Sequence, residues 1–147
     1  FDSENMVGYL INTGPGSLVA QDFDEDGDID LATSHSAFGT VQILAGRGDG
    51  RFGGGSTLSM GSAPNAVGAA DINGDGSRDL YTTHDGGFIS FRLFDSPSGF
   101  DSPTTLPIGD LPIEALLVDV NADGRLDVVA PNRNSNDISI ILAAPSS

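Results

Sequence analysis

The chain has 147 residues, 21 of them acidic against six arginines and no lysine, for a formal charge of −15. That balance leaves no basic patch for nucleic acid or for an anionic membrane surface, and no apolar run approaches the ~20 residues of a membrane span. There are no cysteines, so disulfides do not report the compartment, and 20 Gly with eight Pro leave little room for helices.

In chain order, the first predicted strand is Ser17-Leu18-Val19-Ala20-Gln21. It runs into an acidic loop, Asp22-Phe23-Asp24-Glu25-Asp26-Gly27-Asp28-Ile29-Asp30. A second strand follows at Leu31-Ala32-Thr33-Ser34 and, after His35-Ser36-Ala37-Phe38-Gly39, a third at Thr40-Val41-Gln42-Ile43-Leu44. A Gly/Asp-rich hairpin then ends in a phenylalanine, Gly46-Arg47-Gly48-Asp49-Gly50-Arg51-Phe52, and a weaker fourth strand covers Thr57 to Met60. These runs are short, partly β-branched or aromatic, and bounded by Gly, Asn, Asp and Pro, which is the pattern of strands.

The same order repeats. Ala66-Val67-Gly68-Ala69-Ala70 leads into Asp71-Ile72-Asn73-Gly74-Asp75-Gly76-Ser77-Arg78-Asp79. Leu80-Tyr81-Thr82-Thr83, the turn His84-Asp85-Gly86-Gly87, and Phe88-Ile89-Ser90-Phe91-Arg92-Leu93 come next. Asp95-Ser96-Pro97-Ser98-Gly99-Phe100 and a fourth run at Thr104 to Ile108 close the unit. The third unit has Ala115-Leu116-Leu117-Val118, then Asp119-Val120-Asn121-Ala122-Asp123-Gly124-Arg125-Leu126-Asp127, then Val128-Val129-Ala130, Asn132-Arg133-Asn134-Ser135-Asn136 and Asp137 to Leu142. The loops start 49 and 48 residues apart. A period in that range with four antiparallel strands per unit predicts a β-propeller blade. The expected domain is a single three-blade arc over 1–147, divided near 1–51, 52–99 and 100–147, with blade boundaries offset by one strand. Pro15, Pro64 and Pro112, each seven residues before a loop, are expected to fix the linker turns at Asn12 to Gly16, Gly61 to Asn65 and Gly109 to Pro112.

Each acidic loop reads D-x-[DN]-x-D-G-x-x-D. Oxygen-bearing side chains packed at positions 1, 3, 5 and 9 would repel without a cation. A hard divalent ion removes the conflict, and Ca²⁺ suits best because it accepts six to eight oxygen ligands in flexible geometry. The expected side-chain ligands are Asp22, Asp24, Asp26 and Asp30; Asp71, Asn73, Asp75 and Asp79; Asp119, Asn121, Asp123 and Asp127. Position 7 (Asp28, Ser77 or Arg125) would give its backbone carbonyl, and Gly27, Gly76 and Gly124 permit the reversal at position 6. An EF-hand would need a bidentate Glu at position 12 and flanking helices; Thr33, Thr82 and Ala130 stand there, between strands. Three bound Ca²⁺ would bring the charge to about −9. Millimolar-affinity sites of this kind work outside the cytosol, so an extracellular or cell-surface location is expected.

The loop, the strand after it and the G-x-G-D-G-x-F tail together resemble the FG-GAP/VCBS repeat. That repeat builds calcium-binding β-propeller blades in integrin alpha subunits, bacterial surface proteins and some lectins. The resemblance covers nearly the whole chain, although the tail is intact only at Gly46 to Phe52. It implies structural calcium on one face and a ligand, a glycan or a surface protein, on the other. The candidates there are His35, His84 and Asn132, equivalent positions five residues after each last loop Asp, with Arg133 and Asn134 beside them. The histidines and Asn132 could instead simply cap strand ends. Tyr81, Phe38 and Phe88 offer either stacking surfaces for a sugar or interblade packing.

Phe1-Asp2-Ser3 aligns with Phe100-Asp101-Ser102, so the chain is expected to begin at a blade's fourth strand, and Phe1 itself suggests a processed start with no visible signal peptide. Three blades are too few to close a ring. Two chains joined head to tail into about six blades, or membership of a longer propeller, would satisfy the open edges.

No catalytic residues are found. Gly48-Asp49-Gly50-Arg51-Phe52-Gly53 fits a phosphate-loop glycine pattern but no helix follows it, and Arg47-Gly48-Asp49 is explained by the hairpin. No nucleophile elbow or zinc signature is present. The reading is a non-catalytic calcium-binding module. A polysaccharide-degrading enzyme part and a purely structural self-assembling half-ring are the alternatives.

Overall fold

The computed structural model describes residues 7–11 and 14–144. The aligned start at Phe1 to Ser3, part of the first linker, and Pro145 to Ser147 lie outside the described residues. Among the described residues, thirteen strands form four antiparallel sheets and the helical content is one 3₁₀ turn, Ser36–Phe38. No helix among them is long and apolar enough to cross a membrane.

The first sheet joins β1 (Pro15–Gln21), β2 (Asp30–His35), β3 (Thr40–Leu44) and β4 (Thr57–Ser59) in that order. The second joins β5 (Pro64–Ala70), β6 (Asp79–His84), β7 (Phe88–Arg92) and β10 (Thr104–Pro107). The third has β11 (Leu116–Val118), β12 (Asp127–Asn132) and β13 (Asp137–Ile141). The first two are four-stranded meanders, as the repeat predicts. The third has no fourth strand among the described residues, and residues 7–11 are not in a strand. Register repeats as well: Ala20↔Leu31, Ala69↔Leu80 and Leu117↔Val128 are equivalent pairs, next to the loop that joins their strands.

The sheets stack face to face in chain order. Phe23, Ala32, Val41 and Ile43 of the first unit meet Val67 and Leu80 of the second, with Met60 between them. Ile89 of the second unit meets Ala115, Val128 and Ala130 of the third, with Tyr81 and Phe91 packed alongside. The alternation behind this is the period of two in a strand, which sends odd and even residues to opposite neighbours. Hydrogen bonds cross the same seams: Ser34 Oγ donates to the Asn65 carbonyl at 2.7 Å and Tyr81 Oη to the Ala115 carbonyl at 3.2 Å. The arrangement is consistent with a β-propeller-like fold.

Two features add to the sequence reading. Pro15 and Pro64 open strands as well as ending linkers, pairing with His35 and His84, whereas Pro112 lies outside a strand and makes an isolated bridge to Asn132. A strand's first residue needs no donor there, so proline fits. The second unit's tail, degraded in sequence, forms the better hairpin. β8 (Phe94–Asp95) pairs with β9 (Gly99–Phe100), whereas the intact first copy makes only a bridge between Gly46 and Phe52. The Phe94 and Phe100 rings meet edge-on at 5.2 Å and hold that hairpin without the consensus glycines.

Candidate metal centre

Each acidic loop is a chain of side-chain to backbone hydrogen bonds that bends the loop inward. The position 1 carboxylate accepts from the position 6 glycine: Gly27 N to Asp22 Oδ2 at 3.0 Å, Gly76 N to Asp71 Oδ2 at 3.0 Å, Gly124 N to Asp119 Oδ2 at 2.8 Å. Position 5 accepts from position 7 at 2.8–2.9 Å in all three loops. The position 6 glycines have φ of 94°, 97° and 84°, which few side chains tolerate. Position 4 is left-handed too, in Glu25 at 63°, Gly74 at 80° and Ala122 at 61°.

The position 9 aspartates do more than the sequence reading gave them. Asp30, Asp79 and Asp127 are buried. One oxygen accepts the position 2 amide: Phe23 N at 2.8 Å, Ile72 N at 2.8 Å, Val120 N at 3.0 Å. The other accepts an amide beyond the third strand: Gly46 N at 2.7 Å, Phe94 N at 2.8 Å, Ala143 N at 2.8 Å. Asp30 and Asp79 therefore staple their loops to the start of the following hairpin, and Asp127 staples its loop to Ala143, just past the third strand. Burial raises the Asp79 carboxyl above the ordinary carboxylate range, against the pull of the Phe94 and Ile72 amides.

The first loop gathers carboxylate oxygens of Asp22, Asp24 and Asp30 within 4.8 Å of one another. Burial, then the charges of Asp30, Asp26 and Asp22, raise Asp24 against an opposing hydrogen bond from the Asp26 amide. Asp22 Oδ1 is buried with no hydrogen-bond partner among the described residues. An orphaned anionic oxygen facing other carboxylates is the environment a hard cation relieves, so these residues fit Ca²⁺. The Asp28 carboxylate turns away, against Gly48, which leaves position 7 with only its backbone carbonyl to offer.

The second and third loops are quieter. Asn73 Nδ2 donates to Asp75 Oδ2 at 2.7 Å, and Asn121 Nδ2 to Asp123 Oδ2 at 3.0 Å. Hydrogen bonds from Ser77 N and Asn73 lower the Asp75 carboxyl. Asp123 is lowered despite desolvation, by the Arg125 amide, Asn121 and the Arg125 guanidinium, which sits 2.7 Å away.

At the opposite ends of the second strands stand His35, His84 and Asn132, and all three are buried. Thr33 Oγ1 lies 2.8 Å from His35 Nε2, and Thr82 Oγ1 2.8 Å from His84 Nε2. His84 Nδ1–H donates to the Ser62 carbonyl at 2.5 Å while its ring stacks on Phe88. Asn132 Nδ2 donates to Asp137 Oδ1 and Ser139 Oγ, both at 2.8 Å. These side chains anchor strand ends and linkers, and none presents a face to solvent as a sugar-binding group would. Arg133 and Asn134 are exposed, their amides tied to Leu111 and Asp110. Arg133 lines a cleft of about 730 Å³ along β1, β5 and the segment before β11, shared with Asn65, Asp85, Tyr81 and Glu114. Asn65 Nδ2 donates to Asp85 Oδ1 at 2.6 Å there. Asn65 and Asp85 were not among the expected ligand-binding residues, although each directly follows a residue singled out in the sequence, Pro64 and His84. Phe38 is exposed, while Tyr81 packs into the seam.

The FG-GAP-like repeat matches residues 22–82 and again residues 71–130, so each matched window spans two successive acidic loops. The chain belongs to the FG-GAP-like repeat family. No curated protein and no solved structure matches it. Membership accounts for the repeated loop, the strand after it and the sheets that stack in series.

Proposed function

We propose that this FG-GAP-like chain is an extracellular, calcium-binding β-propeller module, three blades long, that recognises a glycan or surface protein without catalysing a reaction. The observation that carries it is the first loop, where Asp22, Asp24 and Asp30 converge and Asp22 Oδ1 is left without a partner. Asp22, Asp24, Asp26 and Asp30 would hold one ion, with the Asp28 carbonyl. Asp71, Asn73, Asp75 and Asp79 with the Ser77 carbonyl would hold a second, and Asp119, Asn121, Asp123 and Asp127 with the Arg125 carbonyl a third. Bound calcium neutralises clustered charge and fixes the turn between the first two strands of each blade.

The chain's own residues support this role. The position 9 staples hold each loop against the backbone beyond the third strand, so an ion bound by the loop stabilises the whole blade. Recognition is placed on the face away from the loops, in the cleft beside Arg133, Asp85 and Asn65, whose mixed polar and apolar walls suit a hydroxylated ligand. The wheel is completed to about six blades by a second chain.

Thermal unfolding with and without chelator tests the calcium role. A ligand that binds only the folded state at a hundred times its Kd adds about 2.7 kcal/mol per site, so EDTA lowers the melting temperature substantially. An unchanged melting temperature removes calcium from the account. A glycan array on the calcium-loaded protein, repeated with Arg133→Ala, tests the recognition face; binding that the substitution leaves intact places it elsewhere.

A further inference from the structure

Asn73-Gly74 is the one asparagine–glycine pair in the sequence, and it fills positions 3 and 4 of the second acidic loop. Both residues are exposed. Gly74 has φ 80°, and no atom beyond its chain neighbours lies within 4 Å of where a Cβ on it would stand. The backbone nitrogen after an asparagine attacks the side-chain amide most readily when its own residue has no Cβ to crowd the ring that forms.

The loop sets the reacting groups beside one another. Gly74 N donates to Asp71 Oδ1 at 2.7 Å, so a carboxylate is in place to take the proton from the attacking nitrogen. Asn73 Oδ1 accepts the Asp75 amide at 2.9 Å, which polarises the carbonyl under attack. The leaving nitrogen, Asn73 Nδ2, donates to Asp75 Oδ2 at 2.7 Å. The third loop is a control within the same chain. Asn121 makes the same two hydrogen bonds with Asp123, at 2.9 and 3.0 Å. Ala122 follows it, however, at φ 61°, and Asp119 Oδ1 accepts the Asp123 amide at 3.2 Å.

We infer that Asn73 is a site of spontaneous deamidation, which converts the second loop to the charge set of the first. The Gly74 nitrogen bonds to Asn73 Cγ and its proton passes to Asp71. The side-chain nitrogen takes up a proton and leaves as ammonia. Water then opens the cyclic imide at either carbonyl, giving aspartate or isoaspartate. Aspartate at this position matches the first loop, where Asp22, Asp24, Asp26 and Asp30 stand. It also removes the donor that now bonds Asp75 and sets two carboxylates face to face, which weakens the metal-free loop. Isoaspartate adds a methylene to the main chain between positions 3 and 4 and breaks the ligand spacing. The reaction needs only the chain and water, so it stands apart from the calcium reading.

The metal-free protein, incubated at mildly alkaline pH and mapped by peptide mass with isoaspartate detection, is expected to convert Asn73 roughly tenfold faster than Asn121 or Asn134. Gly74→Ala installs the residue that the third loop already holds at that position, and is expected to slow Asn73 to the rate of Asn121. Ala122→Gly is expected to raise the rate at Asn121. An Asn73 that stays an amide while Asn121 or Asn134 converts overturns the proposal, and so does a rate that Gly74→Ala leaves unchanged. Asn73→Asp, made directly, is expected to lower the melting temperature in EDTA below that of the unaltered chain. An equal or higher value overturns the change in the loop's character.

Discussion

The first and third acidic loops share one spacing, yet they solve the same electrostatic problem differently. The first carries Asp24 at position 3, and its carboxylates face one another with Asp22 Oδ1 unpartnered. The third carries Asn121, whose amide donates to Asp123, and Arg125 adds a cation 2.7 Å from the same carboxylate. The second is intermediate, with Asn73 but no arginine at position 7. A loop that neutralises itself gains less from a metal than one that cannot. Ligand charge count sets calcium affinity in oxygen-ligand sites, so affinity is expected to fall from the first loop to the third.

The largest expected effect concerns what the loops have in common. Asp79→Ala leaves the half-buried Ile72 amide and the buried Phe94 amide without acceptors and should destabilise the metal-free protein by roughly 3 kcal/mol. Asp79→Asn, which keeps an acceptor oxygen, should lose about half as much. Urea unfolding in EDTA measures both, and a negligible loss for the alanine would mean that the staple bears no load.

Next in size is the difference itself. Asp24→Asn should weaken calcium binding at the first loop about tenfold while raising the stability of the chelated protein, because the removed charge faces other carboxylates. Isothermal titration calorimetry beside melts in EDTA reads the two signs. A substitution that weakens both would end the charge argument.

Acid gives a smaller effect from the opposite end of the sheets. Burial pushes His84 below the ordinary 6.5, against the Ser62 carbonyl and Asp85. The unfolded chain therefore takes up this proton at higher pH than the folded one. The stabilising contribution is complete above about pH 6.5 and is lost as pH falls from there toward the folded value. Melts between about pH 7.5 and about pH 5.5 should show the decline, and His84→Gln should flatten it.

The smallest change compares position 4. Ala122 holds φ 61° where the second loop has Gly74, so Ala122→Gly should stabilise by about 0.5 kcal/mol after the entropy of the added glycine is counted. The same substitution at Glu25 should gain less, because the Glu25 carboxylate accepts a 2.7 Å hydrogen bond from Ser77 of the neighbouring loop. Parallel thermal melts of the two variants give the ranking.

Much of this was legible in the chain. Strands such as Thr40–Leu44 fall where alternation and turn residues put them, and the acidic loops sit between the first and second strands of each sheet. Local chemistry decides those features, and the repeat states it three times. The left-handed position 4 was not legible, since Glu25 and Ala122 carry no signal for it. Nor was the withdrawal of His35, His84 and Asn132 from solvent, because a polar residue at a strand end reads alike whether it faces water or a linker.

The sequence alone determined the strand order, the period and the clustering of oxygen side chains, all of which depend on spacing along a few residues of backbone. Tertiary structure decided which of those side chains became buried staples, which equivalent residues were covered and which remained bare. Those outcomes depend on the neighbouring sheet, whose presence no single repeat records. Val41 and Ile138 occupy equivalent places in a strand; one is buried and the other is not because a further sheet packs on only one of them.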